Sequence, residues 1–362
     1  MAELLKDLFS KEFVVFLSSK IKKHYKEFND KEFKKLIFDK NWKDLELKER
    51  MRKITLVLND CLVFEYEKQL DILIKAKNEF SPTDSMGLQA MTFQDFVEVF
   101  GLDDYENSIK ALEEFTIDSS SEFAIRQFIL KYEDKTMSQM KIWAKSENEH
   151  IRRLASEGCR PRLPWAIALP NYKKDPSRVL EVLELLKNDD SKYVQKSVAN
   201  NLNDIAKDNA HLVIEFVKNN LGKSANLDWI CKHASRTLLK KGNKDILELF
   251  GYVKVNHVRV DNFVVDEQIS IGDDLNFSFD LTSDKDLGNL RVEYAIDYLK
   301  SNGTHSRRIY MLSQNKITKS YKSFTKKQSF KNMTTRKHYS GGHTISIVIN
   351  GELIEKKCFL VN

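Results

Sequence analysis

The sequence predicts two domains of different class: an α-helical array first, then an antiparallel β-sandwich. Three observations carry this. Apolar residues recur at three- and four-residue steps up to about Phe250, and three of the resulting helices share a common pattern. Beyond Gly251 the period falls towards two, with Gly, Asn and Asp turns between short β-branched or aromatic runs. A chain of 362 residues is also long for one domain, and 41% hydrophobic residues suffice for folded cores. The boundary is expected between Phe250 and Val258, giving domains 1–253 and 254–362.

The first helix is expected over residues 10–27, where Phe13, Phe16, Leu17, Ile21 and Tyr25 share a face behind Ser10 as N-cap. Further helices are read at 30–43, 45–77, 92–100, 105–115, 121–132, 136–145, 148–158, 177–188, 192–207, 210–220, 227–241 and 244–250. Three resemble one another: HIRRLASEG from His150, YVQKSVANN from Tyr193 and WICKHASRT from Trp229. Superposing Ile151, Val194 and Ile230 also superposes Arg153, Lys196 and Lys232, and then Ala155, Val198 and Ala234, at steps of 43 and 36 residues. Irregular periods near 40 point to a HEAT-like α-helical solenoid, whose inner helices line a concave surface. A basic residue recurring on those helices gives the surface a positive stripe.

Strands are read at 258–265, 275–281, 290–299, 308–312, 327–330, 344–349 and 353–361, separated by IGDD, SNGT, SGGH and NGE. Seven short strands in this span suit an immunoglobulin-like antiparallel β-sandwich. The net charge of +6 is unevenly placed: residues 251–362 hold 17 basic and 12 acidic side chains, the rest 42 and 41. Between Tyr298 and Gly351 there are 11 Lys or Arg and no Asp or Glu. Such a run attracts a polyanion, although a lysine-rich solubilising face is an equal reading of it. Cys61, Cys159, Cys231 and Cys358 lie far apart without metal-ligand spacing, so neither metal nor disulfide framework is expected. MAELLKDLFSKEF has the marks of neither a signal peptide nor a membrane span, and a monomeric cytoplasmic protein is expected, with no cofactor.

Candidate chemistry concentrates between Glu147 and Asp208. EHIRRLASEGCRPRLPWAIALP holds Arg152, Arg153, Arg160 and Arg162, and four of the five prolines fall at Pro161, Pro164, Pro170 and Pro176. Prolines restrict themselves and their predecessors, so Trp165 is expected on a loop of defined shape. In the helix 192–207, Val194, Val198, Leu202 and Ile205 form an apolar stripe, with Lys196, Asn200, Asp204 and Lys207 on another face; a solvated surface with local ion pairs is the bland alternative. Glu157 ends the arginine helix, where a C-terminal surface glutamate is an equal reading. Glu122 follows Ser119–Ser121, where an N-terminal capping role competes, and Arg126 is a candidate partner for it. Carboxylates and an indole beside a phosphate-binding groove suit cleavage of an N-glycosidic bond, because a fixed negative charge stabilises oxocarbenium character and orients water. No lysine nucleophile is evident, which favours hydrolysis over a Schiff-base lyase.

ALEEFTIDSSSEFAIRQF, NEHIRRLASEGCRPRLPWA, SVANNLNDIAKD and HASRTLLKKG resemble the AlkC branch of the HEAT-like-repeat alkylpurine DNA glycosylases, and VEYAIDYLKSNGTHSRRIY with TTRKHYSGGHTISIVING resembles their immunoglobulin-like domain. The resemblance implies a monofunctional glycosylase excising 3-methyladenine and 3-methylcytosine from double-stranded DNA, holding bent duplex on the concave surface and contacting the lesion's deoxyribose without full base flipping. It places Glu122, Glu157 and Asp204 as catalytic carboxylates and Trp165 against the lesion nucleotide. Candidates for phosphate contact are Arg152, Arg153, Arg160, Arg162, Lys196, Lys207, Arg236, Lys240 and Lys241, with Arg307, Arg308, Arg336, Lys337 and His338 from the sandwich. Gln127 departs from the proline expected after FAIR, and Lys196 and Lys232 stand where arginine is expected, which keeps charge but loses bidentate geometry. The alternatives are a non-catalytic HEAT-repeat protein that binds branched or bent DNA, and a HEAT scaffold for protein partners.

Overall fold

The computed structural model describes residues 4–80, 87–333 and 336–362; Pro82 lies outside them. Sixteen α-helices among the described residues precede eight strands. The helices are α1 (Lys11–His24), α2 (Asp30–Ile37), α3 (Leu47–Cys61), α4 (Tyr66–Asn78), α5 (Met91–Phe100), α6 (Tyr105–Thr116), α7 (Ile125–Lys131) and α8 (Glu133–Trp143), then α9 (Glu149–Gly158), α10 (Pro170–Lys174), α11 (Ser177–Leu186), α12 (Lys192–Ile205), α13 (Ala210–Asn220), α14 (Ala225–Ala234), α15 (Arg236–Lys240) and α16 (Lys244–Leu249). By packing, one compact unit comprises Met1–Val213 with Asn220–Ala234, and the other Ile214–Asn219 with Ser235–Asn362.

Ser10 caps α1 as expected, accepting from Phe13 N at 3.2 Å. The long helix expected over 45–77 is two, α3 and α4. The chain leaves the helical region at Leu62, whose carbonyl accepts from Phe64 N at 2.8 Å and from Gln69 Nε2 at 2.7 Å. The helix expected over 227–241 is likewise divided, at Ser235, into α14 and α15. Within the first unit α12 packs between α9 and α14, so the three helices with matching sequences lie side by side. This neighbour-on-neighbour stacking is what a solenoid requires.

The strands are β1 (Arg259–Val265), β2 (Gln268–Ile269), β3 (Asp274–Thr282), β4 (Gly288–Leu299), β5 (His305–Ile317), β6 (Tyr321–Ser329), β7 (Gly341–Ile349) and β8 (Glu352–Val361). They form a three-stranded sheet, β1-β3-β6, and a five-stranded sheet, β2-β8-β7-β4-β5, antiparallel throughout except for the short β2–β8 pair. Leu275, Phe277, Phe279 and Leu281 alternate inwards on β3, meeting Leu290, Val292, Tyr294 and Ile296 of β4 and Ile345, Ile347 and Ile349 of β7. β5 and β6, which carry most of the basic run, are the outer strands of their sheets. Charged side chains on an outer strand discourage pairing with another chain, so the run has a structural use independent of any polyanion.

The packing boundary falls earlier than the expected break near 253, because α15 and α16 belong with the strands. Asn289 Nδ2 donates to the Gly251 carbonyl at 3.0 Å and Asn350 Nδ2 to that of Val253 at 2.7 Å. Gly351, at φ +83, lies so close that a Cβ there would sit 2.5 Å from Leu247 Cδ1 and 3.1 Å from Gly242 Cα.

Candidate active site

Three carboxylates expected to converge are drawn together by arginines. Asn148 caps α9, accepting from His150 N at 2.9 Å, and α9 then presents Arg153 and Glu157 one turn apart. Arg153 Nη1 donates to Glu122 Oε2 at 2.8 Å and to Ser120 Oγ at 2.6 Å, and Nη2 reaches Glu122 Oε1 at 3.2 Å and lies 3.8 Å from Glu157 Oε1. Past the end of α9, Arg160 donates from Nη1 to Glu157 Oε1 at 2.5 Å and from Nε to Asp204 Oδ2 at 2.8 Å. Lys207 closes the series, 2.7 Å from Asp204 Oδ1. Glu122, Arg153, Glu157, Arg160, Asp204 and Lys207 thus alternate in charge as one ladder.

Asp204 is only 2% exposed, so the alternative of a solvated helix face does not hold for it. α12 is buried on most of its circumference because α9 and α14 flank it, and Asn201 and Asn203 are buried with Asp204. The polar interior is satisfied from within: Ser197 Oγ donates to Glu157 Oε2 at 2.6 Å, Ser156 Oγ to Ser197 Oγ at 2.6 Å, and Asn201 Nδ2 to the Ser156 carbonyl at 2.7 Å. Burial pulls the Arg153 and Arg160 guanidiniums down, but the carboxylates, Glu122 for Arg153 and Glu157 with Asp204 for Arg160, more than reverse this and raise both above their ordinary value.

Arg126, expected beside Glu122, does something else. It is fully buried and donates from Nη1 to the carbonyls of Gly158 at 3.0 Å and Arg160 at 2.7 Å, and from Nε to that of Ile167 at 2.6 Å. Burial lowers its pKa to about 10. Glu122 is committed to Arg153 instead. The serines before Glu122 do not cap α7 either: Ser119 Oγ donates to the Gly87 carbonyl and Ser121 Oγ to that of Leu112.

The Arg126 strap pins both ends of the loop that carries Trp165. That residue has φ +64, a left-handed conformation costly for an aromatic side chain, and its indole is 62% exposed. Lys48 of α3 donates to the Trp165 carbonyl and lies 4.7 Å from the Phe123 ring centroid. Between α3, α5 and this loop is a cavity of about 670 Å³, lined by Leu56, Glu98, Phe123 and Trp165 among others.

Several cations expected at phosphates are already engaged. Arg152 forks onto Asp189 at 2.6 and 3.1 Å, Arg162 onto Asp208 at 3.0 and 2.7 Å, and Arg307 onto Asp297 at 2.8 and 2.7 Å. Arg160 is buried between Glu157 and Asp204, so it belongs to the carboxylates rather than to a surface contact. His338 is 5% exposed, against Phe330 and Tyr298, and leaves the set of surface candidates. Lys196, Lys207, Lys240, Lys241, Arg308 and Lys337 are exposed; Arg236 and Arg336 are half-buried, the latter donating to Tyr310 Oη at 3.2 Å. Ser156, Ser197 and Lys48 carry no recognisable sequence signal, because single polar residues inside helices are common.

Comparison with known proteins divides the chain between residues 244 and 259, later than the packing boundary. Residues 70–244 match the DNA alkylation repair enzyme family and residues 259–362 the C-terminal Ig-like domain of the uncharacterised protein YhaZ. YhaZ of Bacillus subtilis (strain 168) is 44% identical over 359 residues, 99% of each chain. The Pseudomonas fluorescens alkylpurine DNA glycosylase AlkC, solved bound to DNA containing an abasic site analog, is 34% identical and superposes with a TM-score of 0.94 over 99% of this chain and 100% of that one. The chain belongs to the AlkC type of the DNA alkylation repair enzyme family, with the C-terminal immunoglobulin-like domain of YhaZ.

Proposed function

We propose that the protein is a monofunctional DNA glycosylase, active as a monomer without metal or cofactor, that hydrolyses the N-glycosidic bond of cationic alkylated bases in duplex DNA and so begins base excision repair. 3-Methyladenine is the expected main substrate, with 3-methylcytosine beside it. The observation that carries this is the junction of Glu122, Glu157 and Asp204 into one buried ladder through Arg153 and Arg160. The activity named for the Pseudomonas AlkC supports the same reading.

The chemistry asks little of the base. A methylated, positively charged base carries away the bonding electron pair and departs neutral, while the deoxyribose gains positive charge at C1′. Asp204 and Glu157 stabilise that charge. Water adds at C1′ and gives its proton to one of these carboxylates, and Glu122 holds Arg153 in place. In the free protein each carboxylate has a cationic partner. Lys207 ends the ladder at an exposed position, where an arriving phosphate competes for it and leaves an Asp204 oxygen for the sugar. Lys196, Arg236, Lys240, Lys241, Arg308 and Lys337 are the remaining proposed phosphate contacts, and Trp165 packs on the lesion nucleotide.

The test is incubation with methylated duplex DNA and identification of the freed bases by mass spectrometry. Release of 3-methyladenine is expected, and no release of any methylated base would overturn the proposal. In that event retained, steeply salt-dependent DNA affinity would leave a non-catalytic binder of bent DNA.

A further inference from the structure

The cavity behind the Trp165 loop is separate from the carboxylate ladder, yet shares its supports. Phe123 lines it and directly follows Glu122; Trp165 stands on its rim, on the loop that Arg126 ties to the end of α9. Its volume of about 670 Å³ lies within the ~300–1,000 Å³ common for sites that take small organic molecules. Two aromatic rings and Leu56 supply apolar walls, so the occupant is flat and largely apolar. The cations on the lining are spoken for: Arg52 forks onto Asp95 at 2.8 Å through both Nε and Nη2, Lys53 lies 2.8 Å from Asp39, and Lys48 holds the Trp165 carbonyl.

Glu98 differs from them. Among the described residues its one ion pair is a long one, 3.4 Å from Arg52 Nη2, in a group already neutralised by Asp95. Burial and the neighbouring Asp95 push its carboxyl above the ordinary carboxylate range, and the long Arg52 contact leaves it with acceptor capacity to spare. A ligand with N–H groups on its edge completes its hydrogen bonding. Flat, aromatic and edged with N–H donors describes a nucleobase, and the proposed glycosidic reaction releases one.

We infer that the cavity between α3, α5 and the Trp165 loop is a subsite for the released purine base, held between Phe123, Trp165 and Leu56 with its amino edge on Glu98. The inference rests on the proposed glycosylase reading and goes beyond it, since a base drawn into the cavity is removed from C1′ and cannot re-form the bond. No covalent step occurs there.

Binding of free 3-methyladenine to the intact protein, with no DNA present, tests this by equilibrium dialysis. Leu56→Trp fills the cavity from a partly exposed helix position, and Glu98→Gln replaces the acceptor by a neutral amide. The parent is expected to bind the free base, Leu56→Trp to lose at least about tenfold in affinity, and Glu98→Gln to lose less, while affinity for abasic-site DNA and the single-turnover rate stay unchanged. Inhibition of multiple turnover by added base should weaken in parallel. Failure of the parent to bind free base, or equal binding by parent and Leu56→Trp, overturns the subsite. The two readings separate because base release without free-base binding removes only the subsite, whereas free-base binding without release removes only the glycosylase.

Discussion

In the helical unit Arg160 and Glu157 are buried and answer Asp204 from a distant part of the chain, whereas in the sandwich Lys326 and Lys327 stand exposed on an outer strand. The sandwich has a buried ion pair too, but Arg291 and Glu293 are neighbours on β4, placed two residues apart on the same side of one strand. The contrast separates two uses of charge. A surface lysine costs little and serves solubility, edge protection or long-range attraction alike, so its presence decides nothing about function. Five alternating charges, Glu122, Arg153, Glu157, Arg160 and Asp204, largely withdrawn from solvent at a helix junction carry a heavy desolvation penalty, and apolar residues would stabilise the same junction more simply.

Removing the central cation should strain this arrangement most. Arg160→Met leaves Glu157 and Asp204 buried without their shared partner, and loss of one member of a buried pair costs about 3–5 kcal/mol. Urea unfolding followed by tryptophan emission reports on the helical unit alone, because Trp42, Trp143, Trp165 and Trp229 all belong to it. The corresponding change in the sandwich, Arg291→Met, should leave that signal unmoved. A midpoint unchanged in Arg160→Met would mean the ladder contributes nothing to the fold.

Asp204→Asn and Glu157→Gln come next. On the proposed reading each keeps its shape and loses charge, and release of 3-methyladenine should fall by about 10²–10³, the range for loss of one preorganised electrostatic contact. Affinity for undamaged duplex should hold. Parallel loss of affinity and release would show the acids to be structural supports of the groove.

Exposed cations of the sandwich should matter in smaller steps. Arg308→Ala and Lys337→Ala are each expected to reduce the dependence of log affinity on log salt by about 0.9 if the side chain meets a phosphate. An unchanged slope in both would assign the basic run to edge protection. Arg307→Ala, already forked onto Asp297, is the control and should change the slope least.

How much of this the sequence disclosed follows from what periodicity can see. The helical array and the sandwich were legible because burial of one face imposes a period, and the repeats at His150, Tyr193 and Trp229 correctly named the three helices that stack. Glu122, Glu157, Asp204 and Trp165 stood out through family resemblance, whereas their linkage through Arg153 and Arg160 did not. Those arginines look like phosphate ligands in a one-dimensional reading, and a guanidinium serves a phosphate and a carboxylate with the same fork. Arg126 was misassigned to Glu122 for a related reason: spacing of four suggests a helical pair, but α7 begins only at Ile125, so Glu122 is not on it. The interruptions at Leu62 and Ser235 escaped notice because neither contains Pro or Gly.

The smallest effect concerns two imidazoles buried in the sandwich. His343 Nε2 contacts the Tyr339 carbonyl at 3.0 Å while Nδ1 accepts from Leu299 N at 3.3 Å, a pattern that only the neutral ring can satisfy. His338 packs against Phe330, and its Nε2 finds no partner among the described residues. Burial lowers the proton affinity of both below the ordinary value of about 6.5. The unfolded chain therefore takes up protons first as pH falls, so the sandwich should keep its full stability above about pH 6.5 and lose it progressively below, down to the lowered values of the folded state. Calorimetry between pH 7.5 and 5.5 measures that slope. His338→Phe, which preserves the aromatic packing and removes one titrating ring, should make it shallower, and identical slopes in parent and variant would exclude His338 as a cause.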